Sequence, residues 1–136
     1  MKGFMYMSNS LMETNNSKKI KALIVEDDPD ICYLLTGILR QKQLDSSFVN
    51  NISDAMHALQ KTTPDVVLLD NHLPDGLGVD FISYIKSNFP QTRVILMTAH
   101  DTGFDKTIAL NNGADYFIGK PFSKSIINTT LDNLNL

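Results

Sequence analysis

From residue 20 onward, short apolar runs alternate with segments in which apolar residues recur every three or four positions. The runs are typical of strands covered on both faces, and the spaced segments are typical of amphipathic helices. The longer runs occupy residues 20–25, 66–69 and 94–97, and two shorter ones, expected nearer a sheet edge, occupy 47–49 and 116–118. The pattern therefore predicts five strands, each followed by a helix.

Residues that favour helix ends mark where these helices begin and stop. Asp28 is expected to be the N-cap of the first helix, with Pro29 at its first position. Ser53 and Ser123 are expected to cap the second and the last helix, and Gly113 to end the fourth. A strand and a helix repeated five times predict an α/β fold, a doubly wound five-stranded parallel sheet with helices on both faces.

The first 18 residues differ from the rest, because they are rich in Met, Asn and Ser and have no steady hydrophobic period. We interpret residues 1–18 as a flexible leader and residues 19–136 as one folded domain. A second interpretation is that the apolar residues of the leader pack against a partner or a neighbouring copy of the chain; these are Phe4, Met5, Tyr6, Met7 and Leu11.

Composition and charge narrow the class of protein. The 136 residues are the length of one domain. A formal net charge of −3, without a basic patch, argues against direct binding to nucleic acid or to an anionic membrane surface. No apolar run approaches the ~20 residues that span a bilayer. Cys32 is the single cysteine and cannot form an internal disulfide, so we expect a reducing, cytoplasmic location.

Polar residues follow four of the predicted strands. Glu26 and Asp27 come after the first strand, Asp70 after the third, Thr98 after the fourth and Lys120 after the fifth. In open α/β sheets, ligands bind beyond the carboxyl ends of the strands. Two carboxylates a few ångströms apart repel by about 4 kcal/mol at an effective dielectric near 20, so either the pKa of one of them is raised or a cation lies among them. The hard oxygen donors favour Mg²⁺.

A divalent cation beside an ammonium group and a hydroxyl group is typical of sites of phosphoryl transfer. In these sites catalysis consists mostly of positioning and charge neutralisation. The carboxylate of Asp70 is the candidate nucleophile, forming an acyl phosphate. Lys120 is expected to pair with the incoming phosphoryl oxygens, and the hydroxyl of Thr98 to donate a hydrogen bond to one of them.

Several motifs together resemble the receiver domain of two-component response regulators, over about residues 19–134. They are Val25-Glu26-Asp27-Asp28, Leu69-Asp70 with Pro74 and Gly78, Met97-Thr98-Ala99, Gly113-Ala114-Asp115 and Lys120-Pro121-Phe122. The resemblance implies the flavodoxin-like strand order 2-1-3-4-5. It also implies a signalling domain rather than an enzyme, although such a domain assists its own phosphorylation and dephosphorylation.

The same resemblance implies a role for each residue of the site. Asp70 accepts a phosphoryl group from a phosphohistidine of a partner kinase or histidine phosphotransfer protein. Mg²⁺ is bound by Asp70, by Asp27 directly, by Glu26 through water, and by the backbone carbonyl of His72. Lys120 reaches the pocket from a cis Lys120–Pro121 peptide bond.

Thr98 and Phe117 are implied to be a switch pair, in which the hydroxyl moves to the phosphoryl group and the ring turns inward. Phe117 stands where many members of the family have Tyr. The last two helices and the strand between them are implied to form a phosphorylation-sensitive face, commonly used for a homodimer or a partner. An alternative function is a protein-binding module of receiver fold that works without phosphorylation.

Three rival classes fail on particular residues. A phosphatase of the haloacid dehalogenase type needs a second Asp where this chain has His72. A flavodoxin-like carrier of FMN needs a loop that accepts phosphate after the first strand, and the acidic run 26–28 would repel that phosphate. A Walker-type nucleotide site needs a Gly-rich loop with Lys-Ser/Thr, which the chain lacks.

Overall fold

The computed structural model describes residues 19–99 and 103–136 of the chain. The strands and helices follow in the order β1 Lys21–Val25, α1 Pro29–Gln41, β2 Asp45–Val49, α2 Ile52–Lys61, β3 Val66–Asp70, β4 His72–Leu73, β5 Gly76–Leu77, α3 Gly78–Asn88, β6 Arg93–Thr98, α4 Gly103–Asn111, β7 Tyr116–Gly119 and α5 Lys124–Asn133. The leader predicted over residues 1–18 lies outside the described residues. Among the residues described, no helix is both long and apolar enough to cross a membrane.

The five longer strands form one parallel sheet in the order β2-β1-β3-β6-β7. Because β6 and β7 are the fourth and fifth of these long strands, the predicted order 2-1-3-4-5 is confirmed. Parallel neighbours require crossover connections, and a helix provides each of them. The short strands β4 and β5 form a separate antiparallel hairpin that the hydrophobic pattern did not predict.

Two apolar clusters cover the two faces of the sheet. Alternation along β1 sends Ala22 and Ile24 to the cluster that includes α1 and α5, and Leu23 and Val25 to the cluster that includes α2 and α3. The central strand β3 is buried along its whole length, whereas edge strand β2 has mostly exposed or half-buried residues. The two layers hold the strand ends in place and so define the site at their carboxyl edge.

Most of the predicted helix ends are confirmed. The side chain of Asp28 accepts a hydrogen bond from the backbone N–H of Asp30, and Pro29 begins α1. Ser123 caps α5. Gly113 follows the end of α4 with a φ of 110°, a left-handed conformation that glycine adopts at low cost.

The predicted N-cap of the second helix was wrong. Asn51, and not Ser53, caps α2, because its side-chain oxygen accepts a hydrogen bond of 2.7 Å from the N–H of Asp54. Both residue types are good caps, so the choice depends on where the extended backbone of β2 stops. Ser53 lies within the first turn, where its own N–H is bonded to the carboxylate of Asp75 at 3.0 Å.

Candidate functional site

The carboxyl ends of β1 and β3, which are neighbours in the sheet, bring together the three acidic residues of the site. Glu26 follows β1, Asp27 is next along the chain, and Asp70 ends β3. One carboxylate oxygen from each of these residues lies within 4.8 Å of the others. Glu26 and Asp70 are 1 % and 4 % exposed, whereas Asp27 is exposed. The predicted convergence of these three residues is therefore confirmed.

Lys120 reaches this cluster from the end of β7. Its ammonium group donates one hydrogen bond to Oε1 of Glu26 and another to Oδ1 of Asp70, each 2.9 Å long. The Lys120–Pro121 peptide bond is cis, as the resemblance implied. Burial by itself lowers the pKa of Lys120, but its hydrogen bonds to Asp70 and Glu26, helped by their charges, outweigh burial and raise it. The ammonium is therefore held in its charged form.

Glu26 is the most constrained carboxylate of the cluster. Burial raises its pKa, and its hydrogen bonds with Lys120 and with the N–H of Asp28 offset this in part. Its backbone carbonyl accepts hydrogen bonds from the side-chain amide of Asn50, at 3.0 Å, and from the thiol of Cys32, at 3.3 Å. Burial, followed by the charge of Glu26, raises the pKa of Cys32 to about 11, so this thiol stays neutral.

The loop after β3 is held close to the acidic residues. The N–H of Gly78 donates to the carbonyl of Asn71 at 2.8 Å, and Oδ1 of Asn71 accepts from the N–H of Val79 at 2.9 Å. Leu77, at the N-cap position of α3, has no side-chain acceptor, so Asn71, eight residues before Val79, supplies one. Gly78 is required here, since a Cβ at this position would collide with the backbone oxygen of Asp70.

Asp75 joins this loop to the neighbouring helix. Its two carboxylate oxygens accept hydrogen bonds from the N–H groups of Ile52, at 2.8 Å, and Ser53, at 3.0 Å, in the first turn of α2. These two bonds lower the pKa of Asp75. Sequence reasoning missed this role, because Pro74-Asp75-Gly76 indicates only a turn and its partners lie more than 20 residues away.

Thr98 and Phe117 lie on adjacent strands. Thr98 ends β6 and is buried, and its carbonyl accepts a hydrogen bond of 2.7 Å from the N–H of Lys120. Phe117 pairs with Leu96 across the β6–β7 ladder, and its half-buried ring packs against the cluster on the α2 and α3 face. His72, in β4, is exposed and pairs with Leu77. The switch role of the first two and the ligand role of the His72 carbonyl remain predictions.

The donor set of the acidic cluster fits a hard divalent cation. It offers carboxylate oxygens from Glu26, Asp27 and Asp70, and the thiol of Cys32 donates its hydrogen bond to the backbone carbonyl of Glu26. Such an oxygen set is typical of Mg²⁺ sites, which also keep several water ligands. The exposed position of Asp27 leaves room for those waters.

Comparison with known proteins decides the family. The sequence-family model of the response regulator receiver domain matches residues 22–132. The chain belongs to this family. The receiver domain is 41 % identical over 101 residues to the response regulator protein PilR of Pseudomonas aeruginosa, covering 74 % of this chain and 23 % of PilR. It is 32 % identical over 112 residues to the probable transcriptional regulatory protein TcrX of Mycobacterium tuberculosis, covering 82 % of this chain and 48 % of TcrX.

The solved structures of receivers agree with this assignment. The beryllofluoride-activated NtrC4 receiver domain, a dimer in solution, superposes on this receiver with a TM-score of 0.79 at 31 % identity. The superposition covers 83 % of this chain and 93 % of the NtrC4 receiver chain. The chain spans between about a quarter and a half of the length of the two curated regulators compared above. The flavodoxin-like receiver fold and the resemblance derived from the motifs are thus confirmed.

Proposed function

We propose that Asp70 is the phosphoacceptor of this receiver. The phosphoryl group moves from a ring nitrogen of a phosphohistidine to a carboxylate oxygen of Asp70, so that a P–N bond breaks and a P–O bond forms. The donor is a histidine kinase or a histidine phosphotransfer protein. The observation that carries the proposal is the 2.9 Å contact between the ammonium of Lys120 and Asp70, beside two further carboxylates at the carboxyl edge of the sheet.

Charge explains why these residues occur together. Glu26, Asp27, Asp70 and the backbone carbonyl of His72 would hold Mg²⁺, which when bound neutralises negative charge on the carboxylates and the phosphoryl oxygens. Lys120 already neutralises part of the acidic cluster, and it is placed to pair with a phosphoryl oxygen on Asp70. Because both Glu26 and Asp70 are almost fully buried, these interactions take place where water screens them little.

The signal is passed on by the face formed by α4, β7 and α5. On phosphorylation, the hydroxyl of Thr98 donates a hydrogen bond to a phosphoryl oxygen. The half-buried ring of Phe117, on the neighbouring strand β7, then turns inward. Leu110 and Ile126, at 43 % and 48 % exposure, are apolar side chains that helices α4 and α5 leave open for a partner. The dimer of the NtrC4 receiver supports a homodimer as one form of this output. We place its interface on the last two helices, α4 and α5.

The cysteine content and the net charge of the chain bear on its location in the cell and on its partners. The single buried cysteine favours a cytoplasmic location. The net charge of −3 disfavours direct contact with nucleic acid or with an anionic membrane. Any such output would therefore depend on another domain or partner.

The test is incubation of the protein with acetyl phosphate and Mg²⁺, followed by intact mass measurement. We expect the gain of one phosphoryl group in the wild type and none in Asp70→Asn. The matched control is Asp45→Asn, which changes an exposed carboxylate at the opposite end of the sheet and should leave the gain unchanged. An unmodified wild type, also after exposure to a phosphorylated histidine donor, would support the alternative, a binding module that works without phosphorylation.

A further inference from the structure

One of the two edges of the five-stranded sheet is formed by β2, and the other by β7. In the part of the chain that the structure describes, β2 pairs with β1 alone. The N–H of Asp45 and the carbonyl of Val49 are hydrogen-bonded to the β1 side. Because backbone groups alternate along a strand, those of Ser46 and Phe48 point away from β1, where another strand could bond to them.

The same edge is poorly filled on both faces of the sheet. Ser46 and Ser47 stand at positions whose β1 partners are the buried residues Ala22 and Leu23. On the α1 face, a groove of about 440 Å³ lies between Phe48 and the side chains of α1, and Asp27 and Asn50 line its end nearest the acidic cluster. On the α2 face, a groove of about 370 Å³ opens beside Ser47 and beneath the end of α2. An open strand edge between two grooves suits an extended segment whose alternate side chains enter each groove.

Aromatic side chains make the α1 groove the more apolar of the two at its rim. Tyr33 is 85 % exposed and Phe48 is 53 % exposed. Large apolar residues that are this exposed and lie close together are typical of interaction sites. The groove therefore calls for apolar, and preferably aromatic, side chains in whatever segment fills it.

We propose that residues 4–7 of this chain add to β2 as a sixth, antiparallel strand. The sequence there is Phe-Met-Tyr-Met, so a strand places Phe4 and Tyr6 on one face and Met5 and Met7 on the other. The aromatic pair fits the α1 groove beside Tyr33, and the two methionines fit the α2 groove. An exposed strand edge is covered in this way, which is a common solution to its tendency to associate.

The chain length between the two segments allows this arrangement. Eleven residues, 8–18, precede Lys19, which leads directly into β1. The added strand would lie about 10 Å from β1, because neighbouring strands are about 4.8 Å apart. Eleven extended residues reach roughly 36 Å, more than the turn requires. Because the segment is tethered, its effective concentration at the edge is in the millimolar range, which favours it over a second copy or a free peptide.

The test is amide hydrogen exchange measured by NMR on the full chain, in the wild type and in the double variant Phe4→Ser/Tyr6→Ser. We expect the amides of Ser46 and Phe48 to exchange about ten-fold faster in the variant. The amides of Ser47 and Val49, on the β1 side of the strand, should be unchanged in both. Both substitutions lie outside the described core, so the receiver itself stays folded.

Two controls make the result decisive. Leu11→Ser makes the same kind of change in the leader but outside residues 4–7, and it should leave exchange as in the wild type. Dilution should also have no effect, since the added strand belongs to the same chain. Equal and fast exchange of Ser46 and Phe48 in all variants would overturn the proposal, and protection that disappears on dilution would replace it with pairing between two copies.

Discussion

Two lysines at opposite ends of the sheet make similar contacts with different consequences. Lys86, near the amino ends of the strands, donates to Oδ2 of Asp115 at 3.1 Å and to the carbonyl of Thr92 at 2.8 Å. The same oxygen of Asp115 accepts the N–H of Val94 at 2.8 Å. One positive and one negative charge meet, and each is also bonded to the backbone. This network joins α3 to the start of β6 and has no charge left over.

The network at the carboxyl end is not balanced in this way. Lys120 bonds two carboxylates, those of Glu26 and Asp70, and Asp27 adds a third close by. Negative charge therefore exceeds positive charge in a largely buried place, which costs stability unless a cation is bound. In this receiver, charge balance, more than the presence of an ion pair, distinguishes the contact of Lys86 from the proposed phosphorylation site.

Replacing Lys120 should show the imbalance most clearly. Without metal, Lys120→Met should destabilise the fold by about 3 kcal/mol, because two buried carboxylates lose their cationic partner. This corresponds to a fall in Tm of roughly 10 °C. Mg²⁺ should restore more of the Tm in Lys120→Met than it adds to the wild type. Thermal unfolding in EDTA and in Mg²⁺ measures both effects. An equal rise in Tm on adding Mg²⁺ to the wild type and to Lys120→Met would count against an excess of negative charge at the acidic cluster.

Lys86→Met is the matched substitution at the balanced end and should have a smaller effect. We expect a loss of about 1–2 kcal/mol, since one partly buried ion pair and a hydrogen bond to Thr92 disappear. Mg²⁺ should not change this loss, and the variant should still gain one phosphoryl group from acetyl phosphate. Urea unfolding with and without Mg²⁺, together with intact mass, checks these expectations. A loss of phosphorylation in Lys86→Met would remove the distinction between the two ends.

Replacing Asp75 should have the smallest effect on stability, and this effect should depend on pH. Hydrogen bonds from Ile52 and Ser53 lower its pKa from the ordinary value of 3.8 in the folded state. The ionised carboxylate therefore stabilises the fold above its unfolded pKa, and this contribution is lost as the pH falls through the lower folded pKa. Asp75→Asn should give a flatter dependence of stability on pH between about pH 5 and pH 2. Urea unfolding of the wild type and of Asp75→Asn across this pH range tests the prediction. Identical slopes of the free energy of unfolding against pH in the two proteins would contradict it.

Much of the site followed from sequence because its signals are local. The acidic residues, Thr98 and Lys120 stand at or just after the ends of recognisable apolar runs, and the carboxyl ends of parallel strands meet at one edge. Glu26, Asp27, Asp70 and Lys120 could therefore be brought together before any coordinates were known. The cap at Asp28 was equally predictable, because it rests on the residue type and on the Pro that follows.

Other features depended on contacts that local patterns do not encode. Whether Asn51 or Ser53 caps α2 depends on where β2 ends, and the partners of Asp75 lie 22 and 23 residues away. The hairpin of β4 and β5 is too short to leave a period in the sequence.

Sequence by itself determined the order of the five long strands and the five helices and the membership of the acidic cluster, since these follow from residue type and spacing. The tertiary structure alone decided which atoms meet. It joined Lys120 to Glu26, 94 residues away, and it set the balanced contact of Lys86 with Asp115 at the other end of the sheet. The physical reason is that burial and distance, which determine the strength of a charge interaction, exist only once the chain has folded.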